Sequence, residues 1–143
     1  VGQFGDDFLL EMTQKTWAFY PPGKVRKGKH WKKEKLVKMF NAVETTRYEF
    51  AGQANGFNQI KASSVTEGDA KHPGELKIGP AKILYYMNGT GASVIQIDMN
   101  TGFIDAISGS TDLSGTMDVK VPFLASNKLP IHIKSKVVMS RID

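Results

Sequence analysis

Asp112-Leu113-Ser114-Gly115-Thr116-Met117-Asp118-Val119-Lys120-Val121 places Leu113, Met117, Val119 and Val121 in one phase and polar side chains in the other. Successive side chains of an extended strand point to opposite faces, so this spacing predicts a half-buried strand with one wet face. Ile131, Ile133, Val137 and Met139 alternate in the same way with His132, Lys134 and Lys136. All eight apolar residues are therefore expected to bury against one shared face. Pro122 to Pro130 reads as the connecting loop, because proline has no N–H to give a central ladder. Asn100-Thr101-Gly102 fits a short hairpin loop, with Gly102 where a positive φ is needed.

Upstream, Trp31 to Phe40 is a strand candidate with interspersed lysines, and Ala42 to Gly52 is another, with Thr46, Tyr48 and Phe50 on one face. Asn55-Gly56 is a strong turn dipeptide, and Phe57 to Thr66 follows it as a strand. Glu67 to Pro80, rich in glycine, proline and charge, reads as a long loop. Ala81 to Asn88 and Ala92 to Met99 are expected as strands, with Gly89-Thr90-Gly91 breaking or bulging the chain between them. At the N-terminus, Asp6 or Asp7 can cap a helix over Phe4 to Phe19, stopped by Pro21-Pro22-Gly23. Its residues Phe8, Trp17 and Phe19 are candidates to cover the sheet's apolar face. The expected architecture is mainly β: a curved, half-barrel-like antiparallel sheet with one N-terminal helix packed on it, in a single domain over residues 1–143.

The 143 residues are 41% hydrophobic and 23% charged, which argues against disorder and against fibrous folds. The absence of cysteine rules out a disulfide scaffold, a cysteine-based metal site and cysteine-nucleophile chemistry. No apolar run approaches the length of about 18 residues that a transmembrane helix needs. Charge is concentrated: Lys24, Arg26, Lys27, Lys29, Lys32, Lys33, Lys35 and Lys38 stand against Glu34 alone, while the whole chain carries only +5. Such a patch attracts an anionic surface, whereas an edge strand uses lysines merely to block sheet-to-sheet association. With Trp31 the only aromatic inside the patch, nucleic acid is not an expected partner.

Catalytic patterns are missing from the sequence. His30, His72 and His132 are far apart and form no metal-binding pair, Gly89-Thr90-Gly91 lacks the lysine of a phosphate loop, and no nucleophile elbow occurs. No cofactor and no metal is expected. Asp98, Asp105, Asp112 and Asp118 fall where hairpin ends and wet faces would put them. Trp31, Tyr48, Phe50, Tyr85 and Tyr86 lie on expected strands. They fit either a filled core or the lining of a pocket for a lipid or another apolar ligand.

Phe19-Tyr20-Pro21-Pro22 followed by Gly28-x-x-Trp31 resembles the opening of a group of uncharacterised exported proteins of Bacteroidetes-type bacteria. Gly89-x-Gly91, Asp98-x-x-Thr101-Gly102 and the strand through Gly115-Thr116-Met117 resemble the same group, which is often lipid-anchored and longer than this chain. Lys29-His30 departs from its usual small or acidic residues. In outline the group is similar to the lipoprotein-carrier half-barrels of the periplasm. The resemblance implies a protein of the bacterial cell envelope, periplasmic or anchored at the outer membrane, whose targeting segment is not in this chain. It also implies that the domain is the C-terminal part of a longer protein. The function expected is a non-enzymatic binding or carrier module for an apolar or lipid-like ligand. The rivals are a structural or protein-interaction domain and a hydrolase whose carboxylates meet only in the fold.

Overall fold

The computed structural model describes residues 26–142. In chain order the elements are β1 (His30–Val37), a 3-10 turn (Lys38–Phe40), β2 (Ala42–Ala54), β3 (Phe57–Gly68), β4 (Gly74–Ile78), β5 (Ala81–Asp98), β6 (Ile104–Lys120) and β7 (Asn127–Ser140). They form one seven-stranded antiparallel sheet in the order β1-β2-β3-β5-β6-β7, with β4 paired to β5. The sheet is open, and β1 and β7 are its edges. The N-terminal helix expected over Phe4 to Phe19 lies outside the described residues.

Turn chemistry places the hairpins. Asn55 and Gly56 both take positive φ, 53° and 82°, the geometry whose twist matches that of the flanking strands. At the β5–β6 connection the Asp98 carboxylate accepts from the N–H groups of Asn100 (2.7 Å) and Thr101 (3.2 Å), and Gly102 N–H donates to the Asp98 carbonyl at 2.8 Å. Gly102 has φ of 74°, as its place in the turn requires.

Three expectations are corrected. The Glu67–Pro80 segment is not a loop throughout, since it holds the end of β3 and the whole of β4. Strands β3 and β4 line the same side of β5, one opposite residues 89–98 and the other opposite 81–85, separated by an excursion at 69–73. The Asp69 carboxylate holds that excursion by accepting from Lys71 N–H at 2.8 Å and meeting His72 Nδ1 at 2.9 Å. Its hydrogen bond with His72, followed by that from the Lys71 N–H, lowers its pKa.

Gly89-Thr90-Gly91 does not interrupt β5, which runs unbroken for 18 residues. The glycines there serve close approach: a Cβ on Gly89 would collide with the Asp112 carbonyl of β6, and one on Gly91 would meet the Ser64 hydroxyl of β3 at 2.6 Å. The bulges fall elsewhere, at Phe50/Gly52 and at Gln96/Ile97. Finally, Pro130 lies inside β7 opposite Thr116 rather than ending a loop. An edge strand has a side without a ladder, where a missing N–H breaks no bond.

Following side-chain alternation through the registers sorts the chain into two faces. One carries Trp31, Tyr48, Phe50, Ile60, Ile95, Ile97, Ile107, Leu113, Met117, Ile133, Val137 and Met139. The other carries Lys32, Glu34, Arg47, Glu49, Lys61, Asp112, Asp118, His132, Lys134 and Lys136. The core is the cluster Trp31, Tyr48, Ile60, Ile95 and Ile97, with Phe50, Ala62, Ile104 and Ile107 packed against it.

The expected shared face of β6 and β7 exists, but the expected burial does not. Leu113, Met117, Val119, Val121 and Ile131 are half-buried, while Ile133, Val137 and Met139 remain 42%, 47% and 42% exposed. The physical reason is position. Strand β7 is the edge remote from the core cluster, which lies over the β1–β5 part of the sheet.

Two stability measurements check this arrangement. Gly102→Val should lower unfolding free energy by about 1 kcal/mol or more, because a β-branched residue is strained at that φ even with open space around it; an unchanged melt would contradict the turn. Ile95→Ala in the core should cost about 2–5 kcal/mol, against less than about 1 kcal/mol for Val137→Ala on the open face. Equal losses at the two sites would mean that the open face is covered.

Candidate functional site

The apolar face has a trough across it, set by side-chain size. The cross-strand row Tyr48–Ala62–Ser93–Gly109–Val137 and the next, Thr46–Ser64–Gly91–Thr111–Ser135, are small over their central strands. The row Phe50–Ile60–Ile95–Ile107–Met139 flanks them with bulk. On the other flank, Leu113 and Ile133 rise beside Gly89. The result is a groove of about 280 Å³ running from Glu44 and Thr46 of β2 to Val137 and Met139 of β7.

At its β1–β2 end Trp31 stacks on Tyr48, with ring centroids 5.5 Å apart and planes 13° from parallel. Burial, and after it the negative charge of Glu44, raises the pKa of the Tyr48 hydroxyl, while a hydrogen bond with Thr46 acts in the opposite sense. The phenol therefore stays neutral at ordinary pH and brings no charge into the groove. Trp31 Nε1 is buried with no hydrogen-bond partner among the described residues, whereas buried polar groups are ordinarily paired.

Among the paired residues of this face, the charged ones are Lys33, Lys35 and Glu44, all at the β1–β2 edge. Glu44 stands opposite Lys35, and Lys33 opposite Thr46, whose row continues into the groove floor.

The five aromatics named from the sequence do not form one site. Tyr48 lines the groove, Trp31 is stacked on it, and Phe50 packs against the core cluster. Tyr85 shares the face but sits toward the other end of β5, edge-on to Phe40 at 6.0 Å. Tyr86 is on the opposite face, as adjacent residues of a strand must be. Reading both tyrosines as lining one pocket is therefore corrected. The floor residues Ala62, Ser64, Gly91, Ser93, Gly109 and Thr111 were not singled out. Their signal is a small residue repeated at i and i+2 in three strands, which has meaning only once the strands are aligned.

The cationic stretch divides in the same way. Lys24 lies outside the described residues, Arg26 and Lys27 are exposed ahead of β1, and Lys29 is half-buried. Lys32 faces the charged side, 3.1 Å from Glu34, while Lys33 and Lys35 face the groove side. β1 is an edge, so lysines on both of its faces protect it from association.

Of the four aspartates, Asp98, Asp105 and Asp112 have structural partners, while Asp118 Oδ1 is buried without a hydrogen-bond partner among the described residues. Asp98 holds the β5–β6 turn, Asp98 and Asp105 lie 3.8 and 4.0 Å from Arg141, and Asp112 Oδ1 meets His132 Nε2 at 2.5 Å. Among the described residues no group of three or more His, Cys, Asp or Glu is placed to hold a metal ion. A second depression, about 580 Å³, crosses the charged face over Thr90, Ser110, Asp112, Lys134 and Lys136. It is the larger by volume, but its charged side chains are solvated and half or more exposed. The apolar trough is the better candidate, because an apolar ligand gains there from leaving water.

No curated protein and no solved structure matches the chain. Residues 2–104 match the model of DUF6263, a family of unknown function, and the chain belongs to that family.

Proposed function

We propose that this protein is a non-enzymatic binding or carrier module of the bacterial cell envelope, taking an apolar or lipid-like ligand in the trough. The observation that carries the reading is a small-floored, mostly apolar groove, with Glu44 at its β2 end, that continues into an edge strand whose Ile133, Val137 and Met139 remain exposed. Exposed apolar area of this kind is unfavourable in water and marks a surface that meets another apolar body. Two bulges and the close-approach glycines favour a strongly curved, half-barrel-like sheet, because bulges bend a strand and increase its local twist. In the same reading the chain is a lipoprotein-like, periplasmic domain. The engagement of Asp98 and Asp112 in a turn and in a histidine contact supports a binding role over hydrolysis.

The rival reading is a protein-interaction domain. It draws on Val138, which is 80% exposed on the charged face of the same edge.

Titration with the neutral fluorophore N-phenyl-1-naphthylamine separates the two. The protein should enhance its emission saturably. Ala62→Phe, which fills the floor, should lower the affinity at least about ten-fold, the equivalent of roughly 1.4 kcal/mol, while the melting curve stays cooperative. Absence of saturable binding to the unmodified chain would contradict the carrier reading.

A further inference from the structure

We infer that the trough takes a single-chain anionic amphiphile of the fatty-acid kind, with its carboxylate beside Lys33 and its hydrocarbon tail lying across the strands toward Val137 and Met139. This rests on the apolar-ligand reading above and adds to it a head group and a direction.

The two ends of the trough differ chemically. At the β2 end Glu44 lines the trough, and Lys35 stands opposite it in the β1–β2 register. Lys33 faces Thr46, an uncharged neighbour, and the row through Thr46 and Ser64 is the trough floor. On the opposite face, Lys32 lies 3.1 Å from Glu34. Among the paired residues of β1, Lys33 is thus the cation on the groove side with no acid directly opposite it. Two residues before it on the same face, the buried Trp31 Nε1–H lacks an acceptor among the described residues, and a carboxylate is acceptor-only. At the far end the groove is walled by Val137 and Met139, and no charged residue is paired on this face of β6 or β7.

Length agrees with an extended tail. Five interstrand spacings separate β1 from β7, which at about 4.8 Å each makes the path about 24 Å long. Its small floor leaves room for a chain lying flat, while the flanking row from Phe50 to Met139 shields one side from water. Lys33 has a simpler possible role, in which its stem merely covers apolar surface while the amine stays in water. That role gives no preference between an acid and its uncharged analogue, and this difference is what the test reads.

Oleate and oleyl alcohol, which share one tail, are each used to displace N-phenyl-1-naphthylamine from the full chain at mildly alkaline pH. The unmodified protein should bind oleate about three-fold or more tightly than the alcohol, the scale of one exposed ion pair. Lys33→Gln should abolish this preference, whereas Lys32→Gln, on the opposite face, should keep it. Equal displacement by the two ligands, or a preference that survives Lys33→Gln, overturns the head-group assignment and leaves the apolar-ligand reading standing. If neither ligand nor fluorophore binds, both readings fall. A dimer in light scattering would then assign the face to a second copy of the chain.

Discussion

Unbroken antiparallel register from β1 to β7 is the constraint on which the rest of the molecule depends. The side-chain period of a strand is two, so a slip of one residue in any pairing would exchange the faces of every strand beyond it. Ala62, Ser93 and Gly109 would then leave the floor, and Lys61, Asp112 or Lys134 would enter it. Both register shifts lie past the Phe50–Ile60–Ile95–Ile107–Met139 row, toward the end of the sheet that carries Ile97 and Ile104. The rows that build the trough are therefore in continuous phase. Glycine supports that phase, because a Cβ on Gly115 would collide with the Tyr86 carbonyl of β5 and force the two strands apart.

The apolar face is used unevenly. Over β1, β2, β3 and the later part of β5 it is a packed core, where Ile60 and Ile95 are nearly inaccessible and Trp31 stacks on Tyr48. Over β7 it is open. Such a gradient cannot come from composition, since Ile133 and Met139 are as apolar as the residues that are buried. It follows position in the sheet: the core cluster gathers over β1, β2, β3 and the later part of β5, and β7 lies beyond it. The family match, which ends at residue 104, covers the Lys33 end and the floor as far as Ser93. Val137 and Met139 lie beyond it.

Much of this was legible in the sequence. Alternation identified β2, β6 and β7, β-branched and aromatic content after a turn identified β3, and Asn55-Gly56 and Gly102 marked turns because only a few residues take positive φ without strain. β4 was hidden because Pro73-Gly74 and Gly79-Pro80 frame four residues with breakers, although Leu76 and Ile78 alternate with Glu75 and Lys77. The glycines of β5 suggested a break because a sequence does not say whether a missing Cβ serves a turn or a close approach. Tyr85-Tyr86 looked like a pair, yet neighbours on a strand are divided between its faces. The trough was invisible for a related reason: each floor residue is unremarkable in its own strand, and the pattern appears only perpendicular to the chain.

The direction of the trough is the claim most directly open to observation. A crystal structure of the protein with a fatty acid carrying bromine on its terminal carbon would locate both ends of the ligand, the bromine by its anomalous scattering and the carboxylate by its density. The account predicts the bromine near Val137 and Met139 and the carboxylate near Lys33. Bromine at the Lys33 end, or a ligand lying on the charged face over Asp112 and Lys134, would contradict it.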